Sequence, residues 1–120
     1  MLLGLQMLGR HLAVGSLLAF ALACASPTLP LPPPEAPTIE PGVDSEHVKL
    51  VAGCGGTQPA AVIVIVNRRV SLPGDQAVSG ARADGCGAWD AVVFAHAGDV
   101  LDITQEAGTD LSTPTVVQVR

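Results

Sequence analysis

The sequence predicts an all-β fold, a small β-sandwich of six or seven strands that occupies residues 47–120. Short runs of alternating or continuous β-type side chains recur along this region, and clusters of Gly, Pro and Asp separate them. Apolar residues do not recur at helical spacing there, which argues against a helical or mixed fold. Strands that are this short and this evenly spaced are typical of a sandwich.

The first two runs have different patterns. The run 47–51 alternates, so that Val48 and Leu50 share one face, whereas the run 61–66 is apolar throughout and predicts a central strand. A strand that is apolar on both sides needs cover on its second face, either within the sandwich or from a partner. The residues of that second face are Val62, Val64 and Val66.

The later runs complete the predicted sandwich. Trp89 opens a strand whose alternate residues share one face, and a lone Trp in such a strand is usually core. Leu101 and Ile103 point inward in the next strand, and Val117 and Val119 do so in the last one. The six predicted strands are 47–51, 61–66, 77–83, 89–95, 100–105 and 115–120, with turns at 53–59, 73–75, 84–87, 98–99 and 108–114.

The turns of residues 83–119 follow an order that resembles bacterial immunoglobulin-like repeats. In that family an Ala-Asp-Gly turn precedes an aromatic strand, a Gly-Asp turn opens an alternating strand, and an Ala-Gly-Asn turn leads to a final Pro-Thr strand. This chain departs from the order in its extra Cys86-Gly87 and in Thr109, where Asn is usual. The resemblance implies an immunoglobulin-like sandwich that serves as a spacer, an adhesion module or a partner-binding unit. The matching residues are Ala83-Asp84-Gly85, Gly98-Asp99, Ala107-Gly108 and Pro114-Thr115.

The first residues predict export. Arg10 precedes the apolar run 12–23, which has the length of a signal-peptide core and is too short to span a bilayer as a helix. We therefore expect a helical signal peptide over residues 1–23, cleaved between Ala23 and Cys24. The start codon is either Met1 or Met7.

The residues at the cleavage site, Ala21-Leu22-Ala23-Cys24, resemble the lipobox of bacterial lipoproteins, although Leu is commonest where this chain has Ala21. The resemblance implies that Cys24 carries acyl chains such as palmitate, which hold the protein at a membrane. Because Ala25 is not Asp, it also implies the outer membrane, if the host has one. Cleavage by an ordinary signal peptidase is the alternative, and it would release a secreted or periplasmic protein.

Residues 24–46 are predicted to be a lipid-anchored, proline-rich tether that does not fold. Seven prolines within 26–46 favour extended polyproline II, and few large apolar residues are available to form a core. The motif Pro30-Leu31-Pro32-Pro33 also has the spacing of an SH3-type ligand, but a stiff spacer is the simpler interpretation.

The two remaining cysteines are predicted to form a disulfide. Successive antiparallel strands reverse direction, so the turns that hold Cys54 and Cys86 reach the same end of the sandwich. Export supplies the oxidising compartment that such a bond requires. The alternative is a metal site that adds His47 and His96, but the spacing matches no zinc pattern, so we expect no metal.

The remaining chemistry predicts a non-enzymatic protein. The formal net charge of −5 without a basic stripe argues against nucleic-acid binding. No nucleophile–base or acid–base arrangement is recognisable, so we expect no catalytic residues and no cofactor. The expected function is a cell-envelope lipoprotein that presents an immunoglobulin-like module for protein binding, adhesion or envelope structure. Its expected partners are the membrane, through the lipid, and an envelope or surface protein. The alternative is a soluble secreted or periplasmic protein that binds a ligand or metal.

Overall fold

The computed structural model describes residues 30–42 and 44–120. The predicted signal peptide, its cleavage site between Ala23 and Cys24 and the predicted lipid on Cys24 lie outside the described residues. Among the residues that are described, no helix is both long enough and apolar enough to cross a membrane.

The described residues form eight strands and one short helix, so the predicted all-β fold is confirmed. Each of the six predicted strands is present, with ends that differ from the prediction by a few residues at most. Two strands were not predicted, one in the proline-rich segment and one in the turn 108–114. The elements are β1 (Thr38–Pro41), β2 (His47–Ala52), β3 (Val62–Asn67), α1 (Gly74–Ala77), β4 (Val78–Arg82), β5 (Trp89–Phe94), β6 (Val100–Ala107), β7 (Asp110–Leu111) and β8 (Thr115–Gln118).

The strands form two antiparallel sheets. The three-stranded sheet has the order β1-β2-β5, and the five-stranded sheet has β4-β3-β6 with β7 and β8 both paired to the far side of β6. β3 is paired on both sides, as its continuous apolar run predicts. The two sheets enclose the core as a β-sandwich.

The core lies between the sheets and consists of the residues that alternation predicts to point inward. Trp89 is buried, and Val117 and Val119 face the core as expected. Full burial of an aliphatic side chain of this size contributes about 1.5–3 kcal/mol. The most deeply buried large apolar side chains are Leu50, Ile63, Ile65, Leu101 and Ile103.

The folded domain begins before His47, so the predicted boundary between tether and domain is corrected. Strand β1, within the predicted tether, pairs with the four central residues of β2, from Pro41–Val48 to Thr38–Val51. Ile39 packs against the core. Prolines misled the prediction because they cannot donate hydrogen bonds, but Pro41 lies at the end of an edge strand, where no donor is needed.

The prolines before β1 also bind the domain, through their carbonyl groups. The carbonyl of Pro32 accepts a hydrogen bond of 2.8 Å from the Gln105 side chain, and that of Pro34 accepts one from the Thr115 hydroxyl. The backbone N–H of Glu35 donates to the carbonyl of Gly56 at 2.9 Å. Residues 32–41 therefore belong to the sandwich and run along its edge.

A one-turn helix, α1, precedes β4 where the sequence predicts a turn at 73–75. The carbonyl of Pro73 accepts hydrogen bonds from the backbone N–H groups of Gln76 and Ala77, at 3.0 and 2.9 Å. No residue of this helix is buried. A single turn without an apolar face leaves no periodic signal in the sequence, so it was not predicted.

Candidate functional site

One end of the sandwich is closed by the disulfide between Cys54 and Cys86, as predicted. Cys54 lies in the turn after β2 and Cys86 in the turn after β4, and their Cα atoms are 4.9 Å apart. Beside the bond, the N–H of Gly55 donates to the carbonyl of Cys86 at 2.7 Å. The hydroxyl of Thr57 donates to the carbonyl of Gly87 at 3.0 Å. Both thiols are consumed in a structural bond and are not nucleophiles.

The turn that holds Cys86 requires glycine at the next position. Gly87 has φ of +85°, and a Cβ there would lie 2.3 Å from the carbonyl oxygen of Thr57. Asp84 shapes the same turn, since its carboxylate accepts hydrogen bonds of 3.0 Å from the N–H groups of Cys86 and Ala88. The extra Cys86-Gly87 that departs from the immunoglobulin-like repeats is therefore the part of the turn that makes the disulfide possible.

The opposite end is closed by polar groups around Asp99. Arg69 donates from Nε and Nη2 to its two carboxylate oxygens, at 3.1 and 2.5 Å. Asn67 and the N–H of His96 donate to the same carboxylate at 3.0 and 2.8 Å. Burial by itself raises the pKa of Asp99, but these hydrogen bonds and the charge of Arg69 outweigh it and lower the pKa from 3.8 to about 2.

The two histidines of the predicted alternative metal site flank an aromatic ring instead. The ring centroid of Phe94 lies 5.7 Å from that of His47 and 5.2 Å from that of His96. His47 also hydrogen-bonds the carboxylate of Asp44 at 2.8 Å, which lowers the pKa of Asp44. The part of the chain that is described contains no group of three or more His, Cys, Asp or Glu residues placed to hold a metal ion.

Among the residues that the structure describes, most of the exposed large apolar side chains lie on the outer face of the five-stranded sheet. Val62, Val64 and Val66 point outward from β3, opposite the buried Ile63 and Ile65. Cross-strand pairing adds apolar residues from β4, β7 and β8 to the same face, because residues directly opposite each other point to the same side of a sheet. The outward residues of β6 separate the β3 valines from β7 and β8, and they are Asp102, Thr104 and Glu106. We name this outer face the valine face, after its apolar residues: Val62, Val64, Val66, Val78, Leu111 and Val116.

The outer residues of the valine face are well exposed to solvent. Val78 and Val116 are each 51% exposed and Leu111 is 57% exposed. Gly80 pairs with Val64 and has no side chain, so it leaves Val64 uncovered on that flank. The sequence predicted the valines of β3, but the contribution of β7 and β8 depends on long-range pairing that no local pattern reveals.

The charged side chains on this face balance one another. Arg68 forms two hydrogen bonds of 2.7 Å with the Asp102 carboxylate, which raises the pKa of Arg68. Arg82 and Glu106 lie on either side of Val62, each paired directly with it.

The outer face of the three-stranded sheet differs from the valine face. Its one exposed large apolar side chain is Val92, which lies among charged neighbours such as Lys49 and Asp90.

Comparison with known proteins found no family model, no curated protein and no solved structure that matches this chain. The evidence for function therefore lies in the surface and the contacts of the domain itself. Of these features, the two ends of the sandwich hold the fold together. The valine face has no such internal role and is the candidate functional site.

Proposed function

We propose that this protein is a non-enzymatic cell-envelope lipoprotein that binds a protein partner through the valine face of its immunoglobulin-like sandwich. The observation that carries the proposal is the row of apolar side chains along β3 and β4, with Leu111 and Val116 beyond the polar outer residues of β6, on one outer face of a domain that already has a complete core. Exposed apolar patches flanked by polar residues are characteristic of protein-binding surfaces. Isolated exposed apolar residues such as Val92 carry no such implication.

The chemistry of the valine face suits a protein partner. Burial of apolar surface is favourable by about 25 cal/mol per Å², which rewards a partner that covers the face with apolar side chains. Valine has a stiff, β-branched side chain, so little rotamer entropy is lost when it becomes ordered in an interface. The four charged side chains on this face sum to zero, so they add little affinity but select against a partner of strong net charge.

The export half of the proposal is supported by the disulfide, which indicates an oxidising, exported compartment. The lipid on Cys24 is inferred from the lipobox-like residues of the leader. Because Pro32 already binds the sandwich, only residues 25–31 separate the lipid from the domain, and they span at most about 25 Å. The proposed tether is thus short, and the sandwich is held close to the membrane.

A fractionation experiment tests the anchor. Cys24→Ser removes the acyl acceptor, so we expect the chain to move from the membrane fraction to the soluble fraction of the expressing cell. Ser26→Ala, two residues away, is the matched control and should stay with the membrane. Equal distribution of the Cys24→Ser variant and the unaltered chain would contradict the anchor and favour a secreted or periplasmic protein.

In the same cells, photocrosslinking tests the surface. A photoreactive amino acid at position 78 should give one dominant crosslinked product, whereas the same amino acid at position 92 should give none. Val78 and Val92 have nearly equal exposure, 51% and 54%, but lie on opposite sheets. Identical crosslinking patterns at the two positions would contradict a role for the valine face.

A further inference from the structure

The charges on the valine face differ from those on the rest of the domain. Arg68, Arg82, Asp102 and Glu106 sum to zero, so the formal net charge of −5 lies entirely on other residues. Two copies of so acidic a chain repel one another over most approaches. On the valine face the charges cancel, so two copies can meet there without that repulsion.

Because the charges on the valine face cancel, we infer that its partner is a second copy of this chain. The two copies bind face to face about a two-fold axis that lies over β3 and runs parallel to it. The inference rests on the proposed function and names the occupant of its surface. Such an interface is self-complementary, since the same patch serves both copies. Apolar sheet faces pack about 10 Å apart with their strands nearly aligned.

The two-fold arrangement gives Arg82 and Glu106 each an opposite charge across the interface. β4 and β6 flank β3 on opposite sides. Rotation about the axis therefore places β4 of one copy over β6 of the other. Arg82 and Glu106 both pair with Val62 and therefore lie at the same level along β3. Rotation about the axis preserves this level, so Arg82 of each copy meets Glu106 of the other. In a single copy the two side chains lie two strand spacings apart, about 10 Å.

The size of the surface sets the strength to be expected. With the axis over β3, strands β4, β3 and β6 of the two copies overlap while β7 and β8 stay at the flanks, so three strand positions across and about five residues along each strand cover roughly 14 by 17 Å. Two such faces bury on the order of 700 Å², well below the standard interface of about 1,600 Å². The dimer is therefore reversible in solution, and the proposed membrane anchor favours it by raising the local concentration.

Charge reversal tests the arrangement in the full purified chain, by sedimentation over concentrations from about 1 μM to about 1 mM. Arg82→Glu and Glu106→Arg each place like charges together twice per dimer, so each variant alone should dimerise about tenfold more weakly. An equimolar mixture of the two variants restores both opposite-charge pairs in the heterodimer. The mixture should therefore dimerise as strongly as the unaltered chain.

Two controls separate the interface from folding. Lys49→Glu makes the same charge change as Arg82→Glu on the outer face of the other sheet, and it should leave dimerisation unchanged. Gly80→Lys places a long charged side chain beside Val64, where the nearest atom to an added Cβ is 3.7 Å away and the fold has room for it. This variant should stay folded by circular dichroism and be monomeric.

The possible failures are distinguishable. A chain that is monomeric at every concentration, but still crosslinks from position 78 to a different protein, overturns the second copy and leaves the proposed function standing. A chain that is monomeric and does not crosslink overturns both. A dimer that the mixture of charge variants does not restore overturns the two-fold arrangement.

Discussion

The two ends of the sandwich are held by different chemistry. The end with Cys54 and Cys86 is closed by a covalent bond that joins residues 32 positions apart. The end with Asp99 is closed by one half-buried carboxylate that accepts hydrogen bonds from Arg69, Asn67 and the N–H of His96. The first end is sensitive to reduction and the second to acid, so one domain has two independent sources of stability.

This difference shows how a small acidic domain can tolerate a modest core. The described residues number fewer than 100, and domains of this size obtain little surplus stability from apolar burial alone. A cross-link acts mainly on the unfolded chain, whereas a hydrogen-bonded ion pair acts on the folded one. Each of the following predictions perturbs one end and leaves the other as its reference.

Removal of the disulfide has the largest expected effect. The double variant Cys54→Ser, Cys86→Ser releases a closed loop of about 33 residues, so we expect the free energy of unfolding to fall by roughly 3–4 kcal/mol. Urea denaturation at neutral pH measures this loss. Reductant should destabilise the unaltered chain by a similar amount and leave the double variant unaffected. Equal stability of the oxidised and reduced chains would show that the bond does not stabilise the fold.

Loss of the Asp99 carboxylate has the next largest effect. The pKa of Asp99 is lowered from 3.8 in the unfolded chain to about 2 in the folded one. Its stabilising contribution is therefore fully present above pH 3.8 and is lost as the pH falls towards 2. Asp99→Asn should lower the free energy of unfolding by on the order of 2 kcal/mol at neutral pH, as measured in urea.

The pH dependence of the free energy of unfolding distinguishes a role of the ionised Asp99 carboxylate from a general effect of net charge. The difference between Asp99→Asn and the unaltered chain should shrink as the pH falls from about 4 to about 2. Asp90→Asn removes an exposed carboxylate from the outer face of the other sheet and should change stability by less than about 0.5 kcal/mol. A difference for Asp99→Asn that stays constant from neutral pH to about pH 2 would contradict the ionised role.

Relief of backbone strain at the disulfide end has the smallest expected effect. Ala60 has φ of +59°, a conformation that costs an L-residue roughly 1 kcal/mol and costs glycine almost nothing. Glycine also gains entropy in the unfolded chain, so Ala60→Gly should stabilise the domain by only a few tenths of a kcal/mol. Ala97→Gly, where φ is not positive, should destabilise it instead. Thermal unfolding of both variants measures the contrast.

The sequence predicted the features that have a local signal. Alternation located the inward residues Leu101 and Ile103, and the reversal of successive strands placed Cys54 and Cys86 at the same end. The continuous run of β3 predicted a central strand and its outward valines. These features depend on the order of neighbouring residues, which the sequence displays directly.

The features that were missed depend on partners distant in the chain. Gln105 is buried, and its side chain accepts from the N–H of Gln58 at 2.8 Å and donates to the carbonyl of Pro32. Asn67 is buried in the same way beside Phe94 and Asp99. A polar residue in an alternating strand has the same local pattern whether it is buried or exposed, so only the tertiary structure identifies its role.

The path of residues 32–41 has a mechanical consequence. A force that pulls on the amino-terminal end first meets the carbonyls of Pro32 and Pro34 and then the edge strand β1, so these contacts peel away before the rest unfolds. The disulfide then stops extension of the loop between Cys54 and Cys86, a contour of roughly 110 Å. The domain can thus yield by a short, recoverable step at its attachment point while most of the sandwich stays intact.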